Sequence, residues 1–338
     1  MAVKRGKIYA RQRQNLGEIA PIEAPFSIQI DVCSVCNMRC KFCFHSDYDA
    51  IERNNVKFGM MDYKLFQKII NDMCISWGGR DNFLVKKLRL FAVGEPLLNS
   101  QLPQMISYAK SRNVAECIEL TTNGTLLNAE LNREIINAGL DIINISVNGI
   151  DAQSYLKMCD YKIDFEKYLI TLKDLYTHKG SCKVYIKFSD TGLSEQALSD
   201  FYDIFGDCCD EIFVERIMTS MWQDTNIDKG YTNEDKGLYG QKTEQKNVCP
   251  FLFTTMVINN EGIAHLCCVD WQSKYVLGDL RSNTIESIWN GDKLRHYRII
   301  HLMKGKQEVE ICRKCQSLSY STTDNIDKYS NDILKRMS

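Results

Sequence analysis

The stretch "DVCSVCNMRCKFCFHSD" (31–47) holds four cysteines within eleven residues, directly after an apolar–polar alternation, "FSIQI", that reads as a β-strand. Cys36, Cys40 and Cys43 follow the pattern C-x3-C-x2-C. Tetrahedral zinc sites are usually assembled from paired C-x2-C knuckles. Three thiolates at this spacing, with no fourth partner nearby, instead suit a 4Fe–4S cluster held by three cysteines, with one iron left open to a small molecule. Cys33 could form a C-x2-C pair with Cys36, but it falls inside the predicted strand and is expected to pack in the sheet. A structural zinc and simply packed thiols are the competing readings.

The chain has 338 residues, enough for one large α/β domain and a smaller appendage. Its net charge of −1 gives no basic field for nucleic acid or anionic membrane. No apolar run reaches the roughly 18 residues of a membrane helix, and the basic N-terminus lacks the apolar core of a secretory signal. A soluble, cytoplasmic protein is expected. Fifteen cysteines in such a compartment point to metal ligands, catalytic groups or buried apolar residues ahead of disulfides. Cys74, Cys117, Cys159 and Cys182 stand singly in regular segments and are expected in the core. Cys208 and Cys209, in an acidic turn, receive no specific reading.

Outward from the first cysteine cluster, strand-like and helix-like segments alternate about six times with short loops. "LRLFAVGEP", "CIELTTNG", "LDIINISVNG", "CKVYIKFSD" and "EIFVERIM" are the strands that follow, with amphipathic helices between them. This alternation implies a parallel sheet whose strand C-terminal ends gather on one edge, where α/β sheets bind ligands. Polar signatures converge there: Gly94–Glu95, Thr122–Asn123, Ser146–Asn148 and Ser189–Asp190. The division expected is an extended N-terminal lead-in (1–24), an α/β unit (25–222), a polar linker (223–245) and a cysteine-rich C-terminal unit (246–338) built on a hairpin turning at Asn260–Gly262.

"CNMRCKFC" (36–43) resembles the C-x3-C-x-aromatic-C signature of the radical S-adenosylmethionine (SAM) superfamily, with Phe42 at the aromatic position. Further elements follow in the family's order. "VGEP" (93–96) resembles the Gly-Gly-Glu-Pro turn that holds the SAM amino group, with Val93 replacing the first glycine. "TTNG" resembles the next strand end. "ISVNG" resembles Ile-Ser-x-Asp-Gly, with Asn148 in the Asp place. The resemblance covers roughly residues 26–222 and implies a partial (β/α)6 TIM-like barrel. It implies cofactor contacts at Phe42, Gly94, Glu95, Pro96, Asn123, Ser146 and Asn148, and at Lys187 as a basic partner for the SAM carboxylate. It also implies a chemistry: SAM chelates the open iron, an electron from a flavodoxin- or ferredoxin-type donor cleaves its carbon–sulfur bond, and the 5′-deoxyadenosyl radical takes a hydrogen atom from substrate.

Beyond the barrel, Cys249, Cys267, Cys268, Cys312 and Cys315 form a second group. Thiol ligands alone do not distinguish zinc from a second 4Fe–4S cluster. "GIAHLC", then "IWN", then the closing C-x2-C resemble the auxiliary-cluster domains called SPASM and its shorter form, twitch. The layout Cys249, Cys267, Cys312, Cys315 is similar to the twitch domains of the aminocyclitol (2-deoxy-scyllo-inosamine) dehydrogenases of that superfamily, which favours iron–sulfur. Cys268 competes with Cys267. Both are expected on a strand, facing opposite ways, with Cys267 as the ligand and Cys268 as a candidate hydrogen donor.

Glu215 and Arg216 end a predicted strand on the ligand edge and Trp222 follows, as a candidate proton acceptor, anion holder and pocket wall; a salt-bridged strand end with a packed Trp is the plainer reading. His45 and Tyr63 stand similarly, and Asp47 and Tyr48 carry no clear signal. The leading expectation is a radical SAM oxidoreductase or epimerase acting on a small polar alcohol. A peptide-modifying maturase is the alternative, disfavoured by a lead-in of only about 25 residues where leader-binding domains need about 80. A zinc-stabilised binding protein is the third reading, and the intact C-x3-C-x2-C speaks against it.

Overall fold

The computed structural model describes residues 3–4, 14–78, 85–190, 193–217, 219–227, 236–238, 242–321 and 324–338. The strands are β1 Val3–Lys4, β2 Ser27–Ile30, β3 Lys87–Arg89, β4 Cys117–Thr122, β5 Ile142–Val147, β6 Lys183–Asp190, β7 Glu211–Arg216, β8 Thr255–Ile258, β9 Ile263–His265 and β10 Val276–Asp279. They form one sheet in the order β1–β7–β6–β5–β4–β3–β2–β8–β9–β10. From β2 to β7 every neighbour is parallel, which requires a crossover between successive strands. Helices Tyr63–Trp77, Leu102–Ser111, Ala129–Asn137, Phe165–His178 and Glu195–Phe205 supply them. Side chains of Asp62, Asn128, Asp164 and Ser194 cap the free N–H groups at four of these helix starts. The result is a partial barrel.

Strand alternation sorts the two faces. Ile28, Leu88, Leu120, Ile143, Ile145, Val184, Ile186 and Ile212 are buried in the apolar core under the helices. The opposite, concave face carries Gln29, Lys87, Arg89, Glu119, Asn144, Lys187 and Glu215 in register. Glu119 pairs with Lys87, lies 3.8 Å from Arg89 and accepts from Asn144 at 3.2 Å. Beneath this polar layer, Ile142, Tyr185 and Phe213 close the floor.

Three arrangements differ from the sequence expectations. The lead-in is not simply extended: β1 pairs with β7, and a short helix Leu16–Ile19 is clamped to the C-terminus by Arg336, which donates to the carbonyls of Gly17 and Ala20, both at 2.6 Å. The second unit is not a separate lobe. After a one-turn helix Phe251–Thr254, β8 pairs in parallel with β2, so its hairpin partner β9 and then β10 extend the barrel sheet. A strand continuing past Leu266 was expected, but β9 ends at His265 and Cys267 and Cys268 lie in the following turn. Residues 223–245, read as a linker, fall partly outside the described residues.

Candidate active site and auxiliary cysteine cavity

The loop after β2 is fastened from several sides. Asn123 Nδ2 donates to Asn37 Oδ1 at 2.8 Å, and Asn37 Nδ2 donates to Thr125 Oγ1 at 2.9 Å. Arg39 Nη1 donates to the carbonyls of Cys36 and Met38, both at 2.8 Å. The backbone N–H groups of Arg39 and Lys41 donate to the carbonyls of Cys159 and Met158 at the end of helix Ala152–Cys159. His45 Nε2 meets the Val93 carbonyl at 2.9 Å, and burial pushes the ring's pKa down to about 4, so it is a neutral donor there. Trp222 Nε1 donates to the Phe42 carbonyl at 3.0 Å. Phe44 packs between Trp222 and Trp271, with ring centroids 5.0 and 4.6 Å away. The Cys36–Cys43 loop therefore sits under an aromatic roof drawn partly from the C-terminal unit.

The turn after β3 presses on the same loop. A Cβ at Gly94 would lie 2.2 Å from the Cys33 oxygen and 2.6 Å from the Val35 oxygen, so only glycine allows this approach. Glu95 N–H donates to Val35 O at 2.8 Å. The buried Glu95 carboxylate accepts from Leu97 N, Thr122 Oγ1 and Asn123 N at 3.0, 2.6 and 2.8 Å. Burial nonetheless raises its pKa to about 7. Asn148, at the end of β5, accepts from Ser189 Oγ at 2.9 Å and places Nδ2 3.7 Å from Cys40 Sγ. Ser146 and Lys187 are register partners on the concave face. The structure thus brings Gly94, Glu95, Pro96, Asn123, Ser146, Asn148 and Lys187 to one edge with Cys36, Cys40 and Cys43.

Two expectations change. Glu215 is the ion-pair partner of Lys187, at 2.5 Å, so the proposed proton acceptor and the proposed SAM-carboxylate partner are bonded to each other. Arg216, the next residue on β7, falls on the opposite face of the strand from Glu215 and does not join it in one pocket. Tyr63 packs edge-on against Tyr108, and Asp47 caps Ala50. Cys33, expected inside the first strand, lies past the end of β2 at Ile30; it is buried, and its backbone forms an isolated β-bridge with Met60. Cys159, expected in the core, is buried with its Sγ 3.4 Å from Cys40 Sγ. Cys182, Cys208 and Cys209 are buried, while Cys74 and Cys117 are half-buried at the core's margin.

All five C-terminal cysteines line one cavity, with Leu252, Leu266, Ile311 and Leu318 as apolar wall and His301 and Lys306 beside them. The expectation that Cys267 and Cys268 face opposite ways fails, because the strand has ended before them and a turn directs both inward. Burial, with each other's charge, raises the thiols: Cys249 to about 12, Cys268 to about 11, and Cys267 and Cys312 well above the ordinary thiol value. Deprotonated ligands here need a bound cation. Among the described residues, no three His, Cys, Asp or Glu side chains converge at single-ion distances. Thiols spread around a cavity fit a four-iron cluster, in which each ligand grips a different iron, better than a tetrahedral zinc. Burial and the charge of Cys315 raise Cys268 against a smaller opposing pull from the Arg89 guanidinium.

A second cavity, about 290 Å³, opens between the ends of β2 and β3 and the hairpin of β8 and β9. Asp31, Val93, Asn259, His265, Asp270 and Trp271 are among its lining. Asp31 is 2 % exposed, and its Oδ1 has no hydrogen-bond partner among the described residues. Burial raises its carboxyl to about 7 against the pull of the Val93 and Gly94 backbone. Asp270 accepts from the N–H groups of Lys274 and Tyr275 and lies 3.7 Å from His265 Nδ1. Sequence reasoning passed over Asp31, although strand alternation already placed it on the concave side.

A parallel partial barrel with three clustered cysteines at its strand ends, joined to a cysteine-lined cavity, defines a class of iron–sulfur enzymes that cleave SAM. The chain belongs to the Radical SAM superfamily, whose family model matches residues 30–203, and a second model, the SPASM iron–sulfur cluster-binding domain, matches residues 249–316. It is a radical SAM enzyme whose cofactors are SAM, the 4Fe–4S cluster that binds it, and auxiliary iron–sulfur. Among curated proteins it is 32 % identical over 132 residues to a probable GTP 3′,8-cyclase of Methanococcus maripaludis, covering 39 % of each chain. It is 31 % identical over 122 residues to the tungsten-containing aldehyde ferredoxin oxidoreductase cofactor-modifying protein of Pyrococcus furiosus, covering 36 % of this chain and 30 % of that one. The matches thus span about two-fifths or less of those relatives. Among solved structures, BtrN in complex with AdoMet and 2-DOIA superposes with a TM-score of 0.56 at 15 % identity, over 90 % of this chain and 98 % of that one. Streptococcus suis SuiB bound to precursor peptide SuiA gives 0.62 at 14 % identity, over 84 % and 69 %. Native anSMEcpe with bound AdoMet gives 0.59 at 16 % identity, over 92 % and 96 %. Among the described residues, no helix is long and apolar enough to cross a membrane.

Proposed function

We propose that this chain is a radical SAM oxidoreductase that dehydrogenates, or epimerises, a small polar alcohol such as a sugar or cyclitol. The observation that carries the reading is the cavity of about 290 Å³ beside the hairpin, lined by Asp31, His265 and Asp270 among apolar side chains. Its size is at the lower end for small-molecule sites, and its buried carboxyls suit hydroxyl or ammonium donors. The whole-length superposition on BtrN, a structure containing 2-DOIA, is in keeping with it.

In this reading Cys36, Cys40 and Cys43 hold the SAM-binding cluster. Cys249, Cys267, Cys312 and Cys315 hold the auxiliary one, with Cys268 as a fifth thiol. The backbone of Gly94–Pro96 and the side chains of Asn123, Ser146, Asn148 and Lys187 orient SAM, and Phe42 flanks it. When bound and reduced, this pair supplies the radical that removes a hydrogen atom from substrate. Trp222, Phe44 and Trp271 keep water from the cluster loop. Asp31 takes over from Glu215 as the acceptor facing the substrate, and a flavodoxin- or ferredoxin-type protein is the electron donor.

A second reading, peptide modification, draws on the superpositions on SuiB and anSMEcpe. The deciding experiment incubates reconstituted protein and SAM with sugars and aminocyclitols deuterated at carbinol carbons. Deuterium in 5′-deoxyadenosine is the expected result. Label arriving only from peptides would replace the first reading with the second.

A further inference from the structure

His301 lies in helix Asp292–Lys304 and is 1 % exposed. Its ring is part of the wall of the cavity that the five C-terminal cysteines line. The backbone N–H of Cys249 donates to His301 Nδ1 at 3.3 Å, so that nitrogen presents a lone pair and the neutral ring carries its proton on Nε2. Among the described residues Nε2 has no hydrogen-bond partner. A buried, unsatisfied N–H is costly and calls for an acceptor. Ser317 also lines the cavity, its Oγ likewise without a partner among the described residues, and Lys306 donates to the Cys315 carbonyl at 2.8 Å; the rest of the wall is apolar or thiol.

We infer that His301 Nε2–H donates a hydrogen bond to a sulfur of the auxiliary iron–sulfur cluster and thereby sets its reduction potential. The inference rests on the reading that this cavity holds that cluster. Cys249 gives the arrangement its precision: its thiol is a proposed ligand, and its own N–H fixes the tautomer that turns the ring's donor away from the backbone. A donor to sulfide or thiolate withdraws electron density and favours the reduced, more negative cluster, raising the potential. His301 is thus a positioning and tuning residue, not a ligand.

The test uses the full-length, anaerobically reconstituted chain carrying Cys36→Ala, Cys40→Ala and Cys43→Ala, so that only the auxiliary cluster gives a signal. His301→Phe is expected to keep about four irons per chain and to shift the EPR-monitored midpoint to lower potential, and His301→Gln to recover part of the shift by supplying an amide N–H. In the His301-containing protein, an exchangeable deuteron coupled to the reduced cluster in D2O, with only weak coupling from 15N-labelled histidine, is the expected spectrum. An unchanged midpoint in an iron-loaded His301→Phe protein overturns the inference, as does strong 15N coupling, which would make His301 a ligand. If His301→Phe fails to assemble, the D2O spectrum and the Gln variant decide. Zinc in place of iron in the parent protein would instead refute the cluster reading itself, a result separate from any change of potential.

Discussion

The Lys187 ammonium donates to Glu215 Oε2 at 2.5 Å across β6 and β7, with both side chains about one-fifth exposed, 20 % and 18 %. The register sets Lys187 against Phe213 and Ser189 against Glu215, so this is a diagonal pair on the concave face. A carboxylate engaged in this way is a counter-ion that orients the ammonium, and the pair acts as a unit.

A double-mutant cycle tests that relationship. Lys187→Met and Glu215→Gln, singly and together, should give a coupling of about 1–2 kcal/mol in urea unfolding of the apo chain, since the two charges are in direct contact and largely shielded from water. Additive effects would dissolve the pair. Normal SAM cleavage with abolished substrate oxidation in Glu215→Gln would restore Glu215 as the proton acceptor.

Gly94→Ala should be disproportionately harmful. Its new methyl meets main chain at 2.2 Å, and main chain at Cys33–Val35 cannot swing aside as a long side chain can. A cost of about 1–3 kcal/mol in stability and at least a tenfold loss of SAM cleavage are expected. Gly180→Ala, strained at φ +55° but with nothing within 4 Å, is the control: it should lose stability while SAM cleavage is unaffected.

Asp31 should leave a pH signature. Its carboxyl is raised from 3.8 to about 7, so between those values the folded chain keeps a proton that the unfolded chain releases. Its contribution to stability is therefore complete below about pH 4 and lost as the pH rises through about 7. His45 and His265, both lowered to about 4, tilt the other way, so the quantity to measure is the difference between wild type and Asp31→Asn. Wild type should lose stability relative to the variant, on the order of a few kcal/mol, between pH 4 and 8. Parallel curves would show a carboxyl that is not buried as charge.

Arg298 should prove the keystone of the C-terminal unit. Its guanidinium lies 4.2 Å from the Trp289 ring and 5.6 Å from that of Phe253, and it donates to the carbonyls of Leu252 and Trp289 at 2.8 and 3.2 Å. It thereby ties helix Asp292–Lys304 to the turn that carries Cys249. Arg298→Ala should cost about 2–4 kcal/mol by removing stacking and stranding two buried carbonyls. Reconstituted protein should lose auxiliary iron before barrel iron; equal loss from both would mean that the unit does not depend on this link.

Much of this protein was legible in one dimension because the signals are local. The C-x3-C-x2-C spacing, the strand–helix alternation and the glycines that end helices at Gly139 and Gly180, with φ of +92° and +55°, depend on neighbours within a few residues. The pairing of Lys187 with Glu215 was not legible, because they stand 28 positions apart and only the parallel register makes them partners. Cys267 and Cys268 were misplaced for a related reason: where a strand stops is decided in three dimensions, and the ladders of β9 with β8 and β10 end at His265.

The sequence by itself determined that three thiols would gather at the end of the first barrel strand, and that a parallel sheet would bring four further strand ends beside them. Only the tertiary structure decided that β8 would lie along β2. That pairing carries the cysteine cavity to the flank of the barrel and leaves Asp31 and His265 lining one pocket. The reason is physical. Local propensity acts through backbone geometry within a few residues, whereas the hydrogen bonds and desolvation that join residue 27 to residue 255 exist only once the chain has closed the distance between them.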